Sequence, residues 1–381
     1  MTIGINLKPV FNGKMRALSI LNNKSSMLNL RRPAQAFYVL LVIFCFASHV
    51  QAVEQTPIKQ WQRSSAMAAV HSVDIDIAVR EIGDTSSLAD GTGTLIKLTE
   101  IENRSHWPLP AREAAIYQFT RSLSYLPRDA VAIEVMQYLH DFEAQVLVPH
   151  EDHTAAFVPM FNIRGAAAGV ENGWQRSEWA SRGTALIEAD PATMVSGFVS
   201  STNHNQRSGL IDALQQADIA DVKLVQGIAL KQFEAAPQLT AVIATTAVIT
   251  TDGYAIRQLL INGRGAGLSS ALVQLDIQLP TSETAELLMF AIEQAPAGNA
   301  ALAIAAWWPR LKHESATREL LVNTLANPNL GADAALALAQ NPDIQTIKIL
   351  QDTAKGSSSA ARRAQMALDI NRAQLIGEVQ R

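Results

Sequence analysis

Thr284-Ala-Glu-Leu-Leu288 begins a stretch in which one short pattern occurs three times. The pattern returns as Thr317-Arg-Glu-Leu-Leu321 and as Thr346-Ile-Lys-Ile-Leu350, at intervals of 33 and 29 residues. Leucine or isoleucine in the fourth position and leucine in the fifth suit the buried side of a short helix. The stretch therefore predicts a series of similar helices.

A second, alanine-rich pattern alternates with these copies. Its members are Ala300-Ala-Leu-Ala-Ile304, Ala334-Ala-Leu-Ala-Leu338 and Ala364-Gln-Met-Ala-Leu368. Two alternating helical patterns with a period of about 30 residues are typical of stacked helix pairs. One pair cannot bury its apolar face alone, which is why such pairs occur in series. The sequence therefore predicts an all-α fold, a superhelical array of short helix pairs.

Both patterns resemble those of HEAT-like α-solenoids, particularly the short-repeat bacterial kind. The resemblance rests on residues 284–371, and it extends over 106–283 by helix length and spacing alone. We therefore assign residues 106–381 to one helical repeat domain. The resemblance implies a binding scaffold and prescribes no ligand.

The composition favours helices and argues against nucleic acid as a partner. Hydrophobic residues make up 48% of the chain and aromatic residues 6%, and the abundant Ala and Leu are good helix formers. Residues 1–52 contain six Lys or Arg and no acid, which leaves 25 basic and 35 acidic residues in 53–381. Phosphate contacts need clustered Lys and Arg. The only cysteine is Cys45, so the rest of the chain has no disulfide and no cysteine ligand for a metal.

Residues 1–52 have the pattern of a secretory signal peptide. Arg31-Arg32 precede an apolar run over 37–47, which is shorter than the roughly 20 residues that cross a bilayer. Small residues then lead up to Ala52, as a signal peptidase requires. We predict translation from Met27, cleavage after Ala52, and a bacterial protein in the periplasm or secreted, with no stable membrane span.

The N-terminal segment, residues 53–105, departs from the helical pattern. Residues 73–79 alternate apolar with mostly polar side chains, which is typical of a half-buried strand. A loop rich in Gly, Ser, Thr and Asp separates them from residues 94–101. We therefore predict a small β-hairpin over 73–101. Residues 273–279 alternate as well, but there a helix fits equally.

His150-Glu-Asp-His153 is the densest group of potential metal ligands. A helix that starts near His150 would place the two His side chains on one face, as in zinc sites. A site needs a third ligand, however, and acidic residues at a helix start also complement the helix dipole. We therefore predict no metal site, and His150 and His153 are the two candidate metal ligands.

Gly263-Arg-Gly-Ala-Gly267 has the composition of a phosphate-binding loop. A dinucleotide site requires a strand before this loop, whereas residues 254–262 have a helical pattern. We predict an interhelical turn and no cofactor.

Trp307 and Trp308 are the residues that we expect to contact a partner. Adjacent residues point in different directions around a helix, so one of the two can be exposed, and exposed aromatics can anchor proteins or stack on sugars. Core packing at a helix end is the alternative for this pair.

No nucleophile elbow or catalytic triad is apparent in the sequence. We therefore expect an exported scaffold that binds another protein without catalysis. The alternative is a hydrolase or lyase that acts on a cell-wall or extracellular polymer, with the helical array as its frame. Acidic residues and tryptophans in one groove would favour this enzyme, and a groove of Leu and Ala would favour the scaffold.

Overall fold

The computed structural model describes residues 59–84, 91–153, 155–340 and 342–379. The predicted signal peptide and the start at Met27 lie outside these residues. Helices dominate the described residues, which confirms the all-α prediction.

The described part of the chain contains eighteen α-helices and three short strands. The helices are α1 (Arg63–Val70), α2 (Ile75–Asp84), α3 (Gly91–Glu102), α4 (Leu109–Ser122), α5 (Ile133–Asp141), α6 (Ile163–Ala189), α7 (Pro191–Ser200), α8 (His204–Gln216), α9 (Ile219–Leu230), α10 (Thr240–Thr250), α11 (Gly253–Asn262), α12 (Gly265–Gln278), α13 (Thr281–Gln294), α14 (Ala297–Leu311), α15 (Ser315–Thr324), α16 (Gly331–Ala339), α17 (Ile344–Ala354) and α18 (Ser359–Val379). The strands are β1 (Lys59–Gln60), β2 (Val146–Pro149) and β3 (Phe157–Pro159).

Several helix starts follow from side chains that satisfy free main-chain N–H groups. At five of them an Asn or Asp accepts a hydrogen bond from the N–H three residues further on. These capping residues are Asn162, Asp190, Asn203, Asp252 and Asp343. Gly263 and Arg264 form the turn between α11 and α12, as predicted, and α12 begins at Gly265 with a φ of 67°, a conformation that suits glycine.

The predicted β-hairpin over 73–101 is wrong, because this region forms α2 and α3. Ile75, Ala78 and Ile82 are the buried residues of α2, and their spacing of three and four is that of a helix. Residues 273–279 likewise belong to a helix, α12, apart from its last position.

The hairpin of this fold lies elsewhere, at β2 and β3. The two strands pair antiparallel, and β1 pairs parallel to the other edge of β2. The helix predicted to start near His150 is therefore wrong. The His150 N–H donates to the Ala156 carbonyl at 2.9 Å and closes the turn between the strands.

From α6 onward the helices form two rows. The first row contains α6, α8, α10, α12, α14, α16 and α18, and each of these packs against the next. The second row contains α7, α9, α11, α13, α15 and α17, which also pack in sequence. Consecutive helices of the chain thus alternate between rows, and each helix also contacts the helix two positions along.

The three sequence copies occupy corresponding places in these rows. Thr284, Thr317 and Thr346 are buried in α13, α15 and α17 of the second row, as are the leucines four residues after each. The alanine-rich copies lie in α14, α16 and α18 of the first row. In each of these three helices the third residue of the five faces solvent while the fourth and fifth are buried.

Two clusters of buried apolar side chains stabilise the described chain. The N-terminal core runs from Val70 to Val170 and the C-terminal core from Ile187 to Leu368. Helix α6 contributes to both, with Ala167 in the first and Ile187 in the second.

The contact between α6 and α8 is the most extensive between helices in the described residues. It is close because Gly209 of α8 has no side chain: a Cβ there would lie 2.4 Å from the Arg176 carbonyl oxygen. At the exposed edge, Arg176 Nη2 donates to Asp212 Oδ1 at 2.6 Å. Small residues therefore set the approach of these two helices, and polar side chains fix their register.

Candidate functional site

Trp307 and Trp308 are both buried, with 0% and 2% of their surfaces exposed. Core packing, the alternative for this pair, is therefore what the structure shows: neither side chain is exposed for a partner, and both belong to the C-terminal core. Trp307 Nε1 donates to the Leu272 carbonyl at 2.9 Å. Helix α14 is covered by α12, α16 and second-row helices, so two adjacent positions about 100° apart both meet neighbours.

His150 and His153 lie in the turn between β2 and β3, where their rings stack at a centroid distance of 5.4 Å. His150 Nδ1 already accepts a hydrogen bond from the Asp152 N–H at 3.1 Å. No group of three or more potential ligands that could hold a metal ion occurs in the described residues. The structure thus brings the two rings together without supplying a third donor.

One face of the first row exposes apolar side chains at corresponding positions. These are Leu302 of α14, Leu336 of α16 and Met366 of α18, and we call them the apolar face. In the neighbouring helix α12, Val273 and Ile277 are also exposed. Because α14 and α16 are covered by their row neighbours and by the second row, their exposed residues lie on the one remaining side.

The helices behind this face carry few charges. Helix α14 has one charged residue, Arg310, and its guanidinium lies 3.0 Å from Asp276, the one charged residue of α12. The only charged residue of α16 is Asp333, in its first turn. Arg310 and Asp276 therefore neutralise each other, and Asp333 is the one other charge on α12, α14 and α16. On α18, the exposed Arg362 and Asp369 lie about one turn to either side of Met366.

A cavity of about 1240 Å³ lies between α5, α6 and the connection before α5. We call it the Trp174 cavity. Trp174 is held in its wall by a hydrogen bond from Nε1 to the Leu126 carbonyl at 2.7 Å. Tyr125 and Ile133 line the cavity with 89% and 80% of their surfaces exposed. His140 Nε2 lies 3.0 Å from Glu171 Oε2 at one side.

A smaller cavity of about 440 Å³ adjoins the same helix, α5. We call it the acidic pocket, because its lining contains the four carboxylates of Glu102, Glu134, Asp141 and Glu143. Tyr138 donates its hydroxyl hydrogen bond to Glu102 Oε2 at 2.7 Å. Burial, and then this bond, raise the pKa of Tyr138 far above its ordinary value, so the hydroxyl stays a donor.

Glu113 is the buried carboxyl whose pKa falls in the physiological range. Burial raises its pKa to about 7, although hydrogen bonds from the main-chain N–H groups of Gln145 and Val146 oppose this shift. Both groups donate to Oε1, at 2.6 and 3.1 Å. The residue is 2% exposed, so Glu113 joins α4 to the start of β2 and is not accessible to a substrate.

None of the described helices is both long and apolar enough to cross a membrane. No protein-family model, curated protein or solved structure matches the chain. Function is therefore inferred from the geometry of these sites.

Proposed function

We propose that this protein is an exported helical-repeat scaffold of the HEAT-like type that binds another protein through the apolar face, without catalysis. One observation carries the proposal. Leu302, Leu336 and Met366 occupy corresponding positions in successive first-row helices, and all three face solvent.

Single exposed apolar residues are ordinary on protein surfaces, whereas aligned ones mark interaction sites. Covering apolar surface is favourable by about 25 cal/mol per Å² removed from water. An apolar side chain on the partner that lies across α14 and α16 would cover Leu302 and Leu336 together.

The small number of charges on α12, α14 and α16 supports a partner with an apolar contact surface. Charged interfaces gain on-rate and specificity from electrostatics and weaken with added salt. Few charged groups lie beside Leu302 and Leu336, so we expect the affinity of the complex to depend only weakly on salt.

The cellular location in this proposal comes from the N-terminal pattern. A basic start, a short apolar run and small residues before Ala52 indicate export, which places the partner in the bacterial envelope or outside the cell. The HEAT-like resemblance supports a scaffold, since such arrays present extended binding surfaces.

A hydrolase or lyase that acts on a cell-wall or extracellular polymer is the second candidate. Two observations favour it: the acidic pocket, and the Trp174 cavity, whose lining combines Trp174 with Asp129, Glu171 and Glu178. Pairs of carboxylates perform glycoside hydrolysis. Release of reducing ends from peptidoglycan by the purified protein, and its loss in Glu134→Gln, would support this candidate over the scaffold.

Site-specific photo-crosslinking tests the scaffold proposal. A photoreactive amino acid at position 302 or 336 should crosslink one protein in living cells, whereas the same group at 289 should not. Met289 is the matched control because it is 45% exposed, close to the 48% of Leu336, but lies on α13 in the second row. Mass spectrometry then identifies the crosslinked protein.

The substitution Leu336→Glu should weaken binding of that protein at least tenfold, about 1.4 kcal/mol or more, because it places a charge in an apolar contact. Met289→Glu should leave the affinity unchanged. Equal crosslinking from both rows, or crosslinks to glycan alone, would contradict the proposal.

A further inference from the structure

Helix α5 separates two cavities of different chemistry that meet at one residue. Gln137 lines both the Trp174 cavity and the acidic pocket. Ile133 lines the first cavity and the adjacent Glu134 lines the second. A bound molecule that crosses α5 at Gln137 would therefore contact an apolar surface at one end and an acidic surface at the other.

The apolar end is largely preformed. Trp174 is tied to the Leu126 carbonyl and cannot turn away without losing that bond. Met136 and Val131, which are buried, form part of the lining, and Tyr125 and Ile133 extend from it into solvent. The rim also carries charged side chains, Arg128, Asp129, Glu171 and Glu178. An aromatic and apolar wall beside polar groups can hold the apolar anchor of a partner.

The acidic end has unneutralised charge. None of Glu102, Glu134, Asp141 and Glu143 forms an ion pair in the part of the chain that the structure describes. The two arginines that reach this region donate to main-chain oxygens: Arg112 Nη1 to Glu102 at 2.7 Å, and Arg164 Nε to His140 at 2.7 Å. Four carboxylates around one cavity attract a cation and repel an anion.

We infer that the two cavities together bind a segment of another protein in which an apolar or aromatic side chain lies close to a lysine or arginine. The apolar side chain enters the Trp174 cavity beside Ile133, and the basic one enters the acidic pocket. A neutral sugar would use the aromatic wall but would leave the carboxylates without a counter-charge. This site is separate from the apolar face and does not depend on its function.

Selection from random peptides displayed on phage, with the full chain as target, tests the inference without a known partner. The selected peptides should be enriched in Phe, Leu, Trp or Tyr within a few residues of Lys or Arg. The best of them, synthesised, should bind the protein in solution and should bind more weakly as salt is added.

Two pairs of substitutions at exposed positions separate the contributions of the two ends. Tyr125→Ser with Ile133→Ser should weaken binding of the selected peptide at least tenfold. Glu134→Gln with Glu143→Gln should also weaken it at least tenfold and should reduce its salt dependence. The control pair Glu286→Gln with Glu293→Gln, on the exposed surface of α13, should leave the affinity unchanged.

Three outcomes would overturn the inference. They are a selection without enrichment, selected peptides that lack basic residues, and binding that survives both pairs of substitutions. Binding of peptidoglycan fragments that competes with the selected peptide and depends on Trp174 but not on the carboxylates would assign the cavity to a glycan instead.

Discussion

At the scale of single residues, the carboxyl group of Glu113 links stability to pH. Its pKa is about 7 in the folded protein against an ordinary 4.5, so between these values the folded state binds the extra proton. Stability is therefore highest below pH 4.5 and falls as pH rises to about 7, above which the loss is complete. The shift corresponds to roughly 3 kcal/mol.

Glu113→Gln should remove this dependence, because Gln cannot ionise and its oxygen can still accept from the Gln145 and Val146 N–H groups. We expect the stability of the variant relative to the native protein to rise by roughly 2–3 kcal/mol between about pH 5 and about pH 8, measured by urea unfolding. Glu293→Gln, at an exposed position, is the control. A difference that is constant with pH would show that Glu113 is ionised in the folded state.

Residue patterns predicted burial better than exposure. The five-residue alanine-rich copies contain apolar residues at nearly every position, so nothing in the sequence marks Leu302 and Leu336 as the exposed ones. Whether the tryptophan pair is exposed could not be decided from the sequence for a related reason: neighbours on several sides cover α14. Tyr125 and Trp174 come together only through tertiary packing, across 49 positions of sequence.

At the scale of helices, the contact between α6 and α8 depends on Gly209. Gly209→Ala would place a Cβ within 2.4 Å of the Arg176 carbonyl oxygen and 2.6 Å of the Trp179 Cβ, so the helices must separate. We expect a loss of about 1–3 kcal/mol in the free energy of unfolding.

Gly227→Ala is the matched control, because Gly227 lies inside α9 with no atom within 4 Å of an added Cβ. There alanine should increase the free energy of unfolding by about 0.5–1 kcal/mol, since glycine in a helix interior is destabilising relative to alanine. Urea unfolding of both variants measures the two effects. Equal changes in the two variants would mean that Gly209 is not a contact residue.

The sequence predicted the helices correctly where the helical pattern extended over many residues and where Pro or Gly marked the helix ends, as in α13–α18. The predictions failed in short segments. At the start of α2, the order Val73-Asp-Ile-Asp-Ile-Ala-Val79 fits the alternation of a strand, but residues from Ile75 onward form a helix that packs against α4. Strand β2 is only four residues long, too short for periodicity to show, and long-range pairing with β1 and β3 defines it.

At the scale of the whole molecule, the two cores predict two regions of separate stability. Leu321 is fully buried in the C-terminal core, and Leu321→Asp places there an unpaired charge that costs several kcal/mol. We expect faster hydrogen exchange at amides of α13–α18, with α4 and α5 of the N-terminal core protected.

Asn323→Asp is the control, because it adds the same charge at an exposed position of the same helix. It should leave exchange rates unchanged. Uniform loss of protection over both cores in Leu321→Asp would show that the chain unfolds as one unit and that α6 couples the cores tightly.

The burial of Trp307 and Trp308 has an optical consequence. An indole shielded from water emits at shorter wavelength than one in contact with it, and these two are the largest buried side chains of the C-terminal core. Trp61, Trp107, Trp174 and Trp179 are only partly covered. A red shift of the short-wavelength emission therefore follows the opening of the C-terminal core, and the protein needs no added label for that purpose.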